Sequence, residues 1–93
     1  MPKTAVDPFF VTSGPDSAPR KAAAVTPSNT QDLSNVTKMI FVGGAGNLAI
    51  IMADDADASP VTINAVPAGT MLELQVRRVM AANTTATNIL ALW

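Results

Sequence analysis

Apolar side chains in this sequence come in short runs, most alternating with polar residues and separated by Gly, Pro, Asn and Asp. Runs of this length, rich in Ile, Val and Phe, predict strands; a helix would repeat its apolar positions every three to four residues. Residues 39–52 hold two such runs about a glycine-rich centre and predict two strands joined by a tight reversal, a hairpin. Gly43, Gly44, Gly46 and Asn47 are residue types that reach positive φ, as a hairpin turn with a bulge requires. A phosphate cradle would need a helix after the glycines. The following Leu48-Ala49-Ile50-Ile51-Met52 is too rich in β-branched residues for that and lacks a Lys-Ser/Thr pair.

Val61-Thr62-Ile63-Asn64-Ala65-Val66 alternates as a half-buried strand, with Val61, Ile63 and Ala65 on its inner face. Residues 66–70 then form a turn, with Pro67 at its first corner and Gly69 left-handed. Met71-Leu72-Glu73-Leu74-Gln75-Val76-Arg77 alternates most cleanly, with Leu72, Leu74 and Val76 inward. Arg78 falls where an apolar residue is due before Val79, so a β-bulge is expected there, leaving both arginines facing water or a partner. Residues 88–93 close as a strand, and the apolar Trp93 is expected to pack against the core or a neighbouring subunit. Upstream, residues 22–26 read as a short edge strand, and Ser28 and Gln31 have capping-box spacing for one helical turn near Asp32 and Leu33.

These strands and turns predict an all-β fold, a small antiparallel sandwich or barrel built largely as a meander. The body spans residues 26–93. Residues 1–25 carry four of the seven prolines, Pro2, Pro8, Pro15 and Pro19, with Pro27 close behind, and no sustained period, so they read as an extended arm. Over residues 1–24 that arm spans on the order of 80 Å when fully extended. Phe9-Phe10-Val11 is its one concentrated apolar group, between Pro8 and the turn-like Ser13-Gly14-Pro15-Asp16. Either these side chains fold back onto the body's own sheet or they anchor in a neighbouring subunit; both readings bury them.

Composition narrows the chemistry. With 93 residues and no Cys or His, the chain has neither disulfides nor the usual zinc ligands to support a small core. Association with further copies or a partner is the remaining support. A net charge of −1 gives no basic footprint for nucleic acid and no polybasic membrane anchor. No apolar leader or span-length run is present, so neither secretion by signal peptide nor membrane insertion is expected. Nucleophilic catalysis lacks a His, Cys or Tyr, and Asp54, Asp55 and Asp57 share one turn with nothing to separate their pKa values, so no enzyme is expected. That turn lacks the glycine and distal Glu of a calcium loop and reads as a solvated hairpin tip. Asn35-Val36-Thr37 and Asn83-Thr84-Thr85 match the glycosylation triplet but read as turn or strand-end sequence. The Arg77-Arg78 pair suits a carboxylate-rich partner or, equally, a solvated edge that discourages aggregation.

The order Thr26-Pro27-Ser28, Asp32-Leu33, Ile40-Phe41-Val42-Gly43-Gly44-Ala45-Gly46-Asn47, Val66-Pro67-Ala68-Gly69-Thr70, Arg78-Val79, Thr84-Thr85-Ala86-Thr87-Asn88-Ile89 and Ala91-Leu92-Trp93 resembles the small spike-base proteins of tailed phages and phage-like gene transfer agents. The resemblance spans nearly all of the body and contains no catalytic motif. It implies a structural virion protein, without a cofactor, assembled in the host cytoplasm and placed on the outer surface of the head. There it would bind the major capsid protein and act as the base for a spike or fibre, as a homo-oligomer. Phe9, Phe10, Val11, Arg77, Arg78 and Trp93 are the candidate partner-interface residues. A cement protein at threefold positions is the neighbouring reading. A glycan-binding module is the distant one, since Phe9, Phe10, Phe41 and Trp93 are all the aromatics available for a platform.

Overall fold

The apolar runs do form strands in the computed structural model of the protein, which describes residues 18–93. Seven are present: β1 (Ala22–Ala24), β2 (Met39–Gly44), β3 (Gly46–Met52), β4 (Val61–Val66), β5 (Thr70–Leu72), β6 (Val76–Val79) and β7 (Thr87–Leu92). They pair antiparallel in two sheets, a four-stranded sheet in the order β1-β7-β2-β5 and a three-stranded one in the order β4-β3-β6. The described residues contain no helix. The all-β sandwich is therefore as expected.

The connectivity is different from a meander. β2 and β3 are separated by Ala45 alone, yet they lie in different sheets, so residues 39–52 form a sheet-switching corner and not a hairpin. The run expected as one strand over residues 71–77 likewise divides into β5 in one sheet and β6 in the other. Alternation survives the crossing, with Leu72 and Leu74 half-buried, Val76 buried, and Glu73 and Gln75 exposed. Inward and outward phase belongs to the chain and not to one sheet, so period 2 passes through the corner unbroken. Among the described residues, β3 and β4 are the consecutive pair that hydrogen-bond to each other, joined by the acidic loop.

Ile40 and Val42 of β2, Ile89 and Ala91 of β7, Leu48 and Ile50 of β3, and Val76 and Val79 of β6 meet between the sheets as the core. Trp93, Leu72 and Leu74 pack against it, partly buried. Val61 and Ala65, expected inside, are exposed, and Val66 is buried instead. At Ala65 and Val66 the cause is a register shift between Gly46 and Leu48, with Gly46 opposite Val66 but Leu48 opposite Ile63; Val61 stays in register opposite Ile50 and is exposed on the edge strand. Ala65 takes a φ of 55° in that bulge, and its amide donates to Asn47 Oδ1 at 2.9 Å.

Glycine at the corner answers a need for space more than for positive φ. A Cβ on Gly46 would stand 2.5 Å from Ala86 N and 2.7 Å from Thr85 C, both backbone atoms. One on Gly43 would stand 2.9 Å from Asn88 Cβ. Asn47, expected as a left-handed turn residue, instead holds the corner closed: its amide donates to Thr85 Oγ1 at 2.8 Å, and its carbonyl accepts from Thr85 N and Ala86 N. Ala49 N donates in turn to Thr84 Oγ1 at 3.0 Å. The Gly-Gly-Ala-Gly-Asn and Thr-Thr-Ala-Thr-Asn segments are thus the two sides of one close contact. Gly69 is left-handed as expected, with φ 78°.

Candidate partner interface

Two edges of the three-stranded sheet are treated differently. Among the described residues no strand pairs with the outer edge of β4, where Val61 is exposed, while the edge of β6 is covered by the coil that precedes β2. Ser28 N donates to Val79 O, Leu33 N to Arg77 O and Thr37 N to Val76 O. Buried Thr37 completes the seam, its hydroxyl donating to Leu74 O at 2.7 Å and accepting from Val76 N at 3.0 Å. Ser28 Oγ accepts from Thr30 N and Gln31 N, so the capping spacing is used, but in a turn without the helix it was expected to begin.

Across this seam stand the two arginines. Ile51 pairs with Arg78 and Met52 with Val76, which makes Arg77 the extra residue of a bulge one position before the one expected. In a regular strand adjacent side chains point to opposite faces. The bulge brings both guanidiniums to one side, where Arg77 Nη1 and Arg78 Nε donate to the same Asp32 Oδ1 at 2.9 and 2.8 Å. Arg77 Nη2 also donates to Asp57 Oδ1 at 2.6 Å and to Asp55 O at 2.8 Å. Arg78 Nη1 donates to Asn29 O at 3.3 Å.

Of the two arginines expected to face water or a partner, Arg78 is turned from water and Arg77 keeps part of its side chain exposed. Arg78 is buried, with 7% of its surface exposed, and both are spent inside the chain, binding the covering coil through Asp32 and the acidic loop through Asp57. The acidic loop is an exposed tip between β3 and β4, as expected, and that contact ties it to the arginines. Asp57 is held below the ordinary carboxylate value, first by the hydrogen bond from Arg77, then by the charges of Arg78 and Arg77, against a small loss of hydration. Arg77 is pushed up, mainly by the same hydrogen bond. A shallow groove of about 290 Å³ lies nearby, lined by Met52, Ala53, Asp54, Glu73, Leu74 and Gln75. Among the described residues no three acidic, His or Cys side chains converge to hold a metal ion.

Trp93 belongs to the other sheet. Its carbonyl accepts from Arg20 N and Lys21 N, both at 2.6 Å, and its amide donates to Lys21 O, so the segment entering β1 clasps it while its side chain packs on the core. Phe9, Phe10 and Val11 lie outside the described residues. Of the expected interface residues that the structure describes, the arginine pair stands on the three-stranded sheet and Trp93 follows β7 of the other, each hydrogen-bonded within the chain.

This chain is similar to a chain in a solved structure, the capsid of a native GTA particle computed with C5 symmetry. The two are 26% identical, the match covers 95% of this chain and 100% of that one, and the TM-score is 0.81. No protein-family model and no curated protein matches.

One surface that the alternation arguments left aside is the outer face of the four-stranded sheet. Ile40, Val42, Ile89 and Ala91 point inward, so Met39, Phe41, Leu90 and Leu92 point outward. Pairing extends these into rows. Ala24 stands opposite Leu90, Leu90 opposite Phe41, and Phe41 opposite Met71; beside them Ala22 stands opposite Leu92 and Leu92 opposite Met39. The rows contain no polar or charged side chain; the first crosses all four strands and the second runs over β1, β7 and β2. Met71 and Leu90 are 49% and 36% exposed. The signal was in the sequence: Met39-Ile40-Phe41-Val42 and Ile89-Leu90-Ala91-Leu92-Trp93 are apolar in both phases, as strands covered on both faces are.

Proposed function

We propose that this protein is a non-enzymatic structural subunit of a phage-like particle, bound to the major capsid protein on the outer surface of the head and serving there as the base for a spike or fibre. The observation that carries the reading is the likeness to a chain of the GTA capsid, close in fold and extending over nearly the whole of both chains. The body supports it from its own chemistry. Its polar side chains are spent on holding coil and loops to the sheets, as in the Asp32–Arg77–Arg78–Asp57 cluster and the Thr84 and Thr85 contacts, and converge on no reactive centre. A scaffold whose specificity lies in shape needs nothing more. Self-association around the attachment point would cover the open β4 edge.

Purified particles from a producing cell provide the test. Quantitative mass spectrometry should find the chain at a few copies per vertex, and reconstruction should place it against the major capsid protein with spike density rising from it. Absence from washed particles would overturn the capsid role. Many copies at threefold positions would overturn the spike-base role and leave a cement protein.

A further inference from the structure

We infer that the outer face of the four-stranded sheet is the seat of the chain's own Phe9-Phe10-Val11, which straps back across it. Three observations point to this occupant. First is the site. Four strands at about 4.8 Å spacing, over the five residues 39–43, make a face on the order of 200 Å². A second copy needs roughly 800 Å² per partner for a stable contact, whereas one buried aromatic ring accounts for about 150–250 Å². The face is too small for a dimer and fits a short aromatic segment.

Second is the point of entry. The described chain arrives at this sheet's edge, with Arg20 and Lys21 clasped to Trp93 O and Ala22 paired with Leu92 at the end of the apolar rows. Ten residues lie between Val11 and Ala22, so the eleven steps reach roughly 36 Å when extended, more than twice the roughly 14 Å breadth of the sheet. Gly14 and Pro15 supply turn residues where the strap must double back. Third is composition. The rows are free of charge, and so is the stretch from Pro8 to Pro15, with Asp7 and Asp16 outside it. Linkage to the same chain gives the segment a high effective concentration at the face, which a separate apolar partner lacks. The strap does not depend on the capsid reading.

The test uses the isolated full chain with methionine methyls labelled. Ring contacts should shift the Met39 and Met71 methyl resonances and, in addition to the cross-peaks from Phe41, which stands opposite Met71 on the same face, give cross-peaks to the ring protons of Phe9 or Phe10. In Phe9→Ala/Phe10→Ala both should be lost, while Met52 and Met80 keep their positions and report an intact body. Met71→Lys, which plants a charge in the seat without touching the segment, should speed proteolytic cleavage within residues 1–17 about tenfold. Mixing labelled and unlabelled copies distinguishes the source of the ring. Cross-peaks only between copies, or Met39 and Met71 methyls unmoved by Phe9→Ala/Phe10→Ala, would overturn the strap.

Discussion

At single positions, backbone crowding sets the cost of change. Gly46→Ala places a methyl group against the backbone of Thr85 and Ala86, which cannot rotate away, and is expected to lower stability by about 3 kcal/mol in urea unfolding. Gly69→Ala meets nothing, and only its left-handed φ is penalised, so the loss should be about 1 kcal/mol. Thr37→Val keeps shape but strands Leu74 O and Val76 N, an expected loss of about 2 kcal/mol by the same measurement. Asp57 gives a pH signature. Its folded pKa lies below the ordinary 3.8, so its stabilisation is complete above that value and is lost as pH falls through the lower folded one. Asp57→Asn should therefore narrow the stability difference between neutral and acid pH relative to wild type. Of these residues, only the role of Gly69 could be read in advance, because a turn is local. The demands on Gly46 and Thr37 come from residues about forty positions away, which no local pattern carries.

Among the elements, short apolar runs and period 2 marked where the strands lie, though β5 and β6 as one, and did not say which strands pair. The rule reports which way a side chain points, and Ala45 and residues 73–75 let the chain change sheets without changing phase. The bulge in β6 was legible because Arg78 interrupts an apolar phase. Its consequence was not, since the carboxylates that gather the two arginines lie in the covering coil and the acidic loop. That coil takes the place of a fourth strand beside β6, and Asp32 ties it ionically to both arginines of the sheet. Asp32→Ala should lower the urea midpoint more than Asp57→Ala and should also speed amide exchange at Leu33 and Thr37, which donate to β6 carbonyls.

For the molecule as a whole, repeated switching between sheets means that most stabilising pairs join distant parts of the chain: β1 with β7, β2 with β7, β2 with β5 and β3 with β6. Chains so arranged fold in roughly milliseconds to seconds, because loop closure precedes the contacts it permits. Stopped-flow refolding followed by the single Trp is expected to fall in that range. β1 has the opposite character. Its three residues are exposed, and it is held to β7 by a short ladder that begins at the incoming arm. Tension applied to the arm away from the sheet would meet those bonds one after another, like a zipper opened from its end, instead of all together. The edge would peel before any load reached the core, so a particle tugged through this tail would sacrifice one cheap strand and keep the fold beneath it.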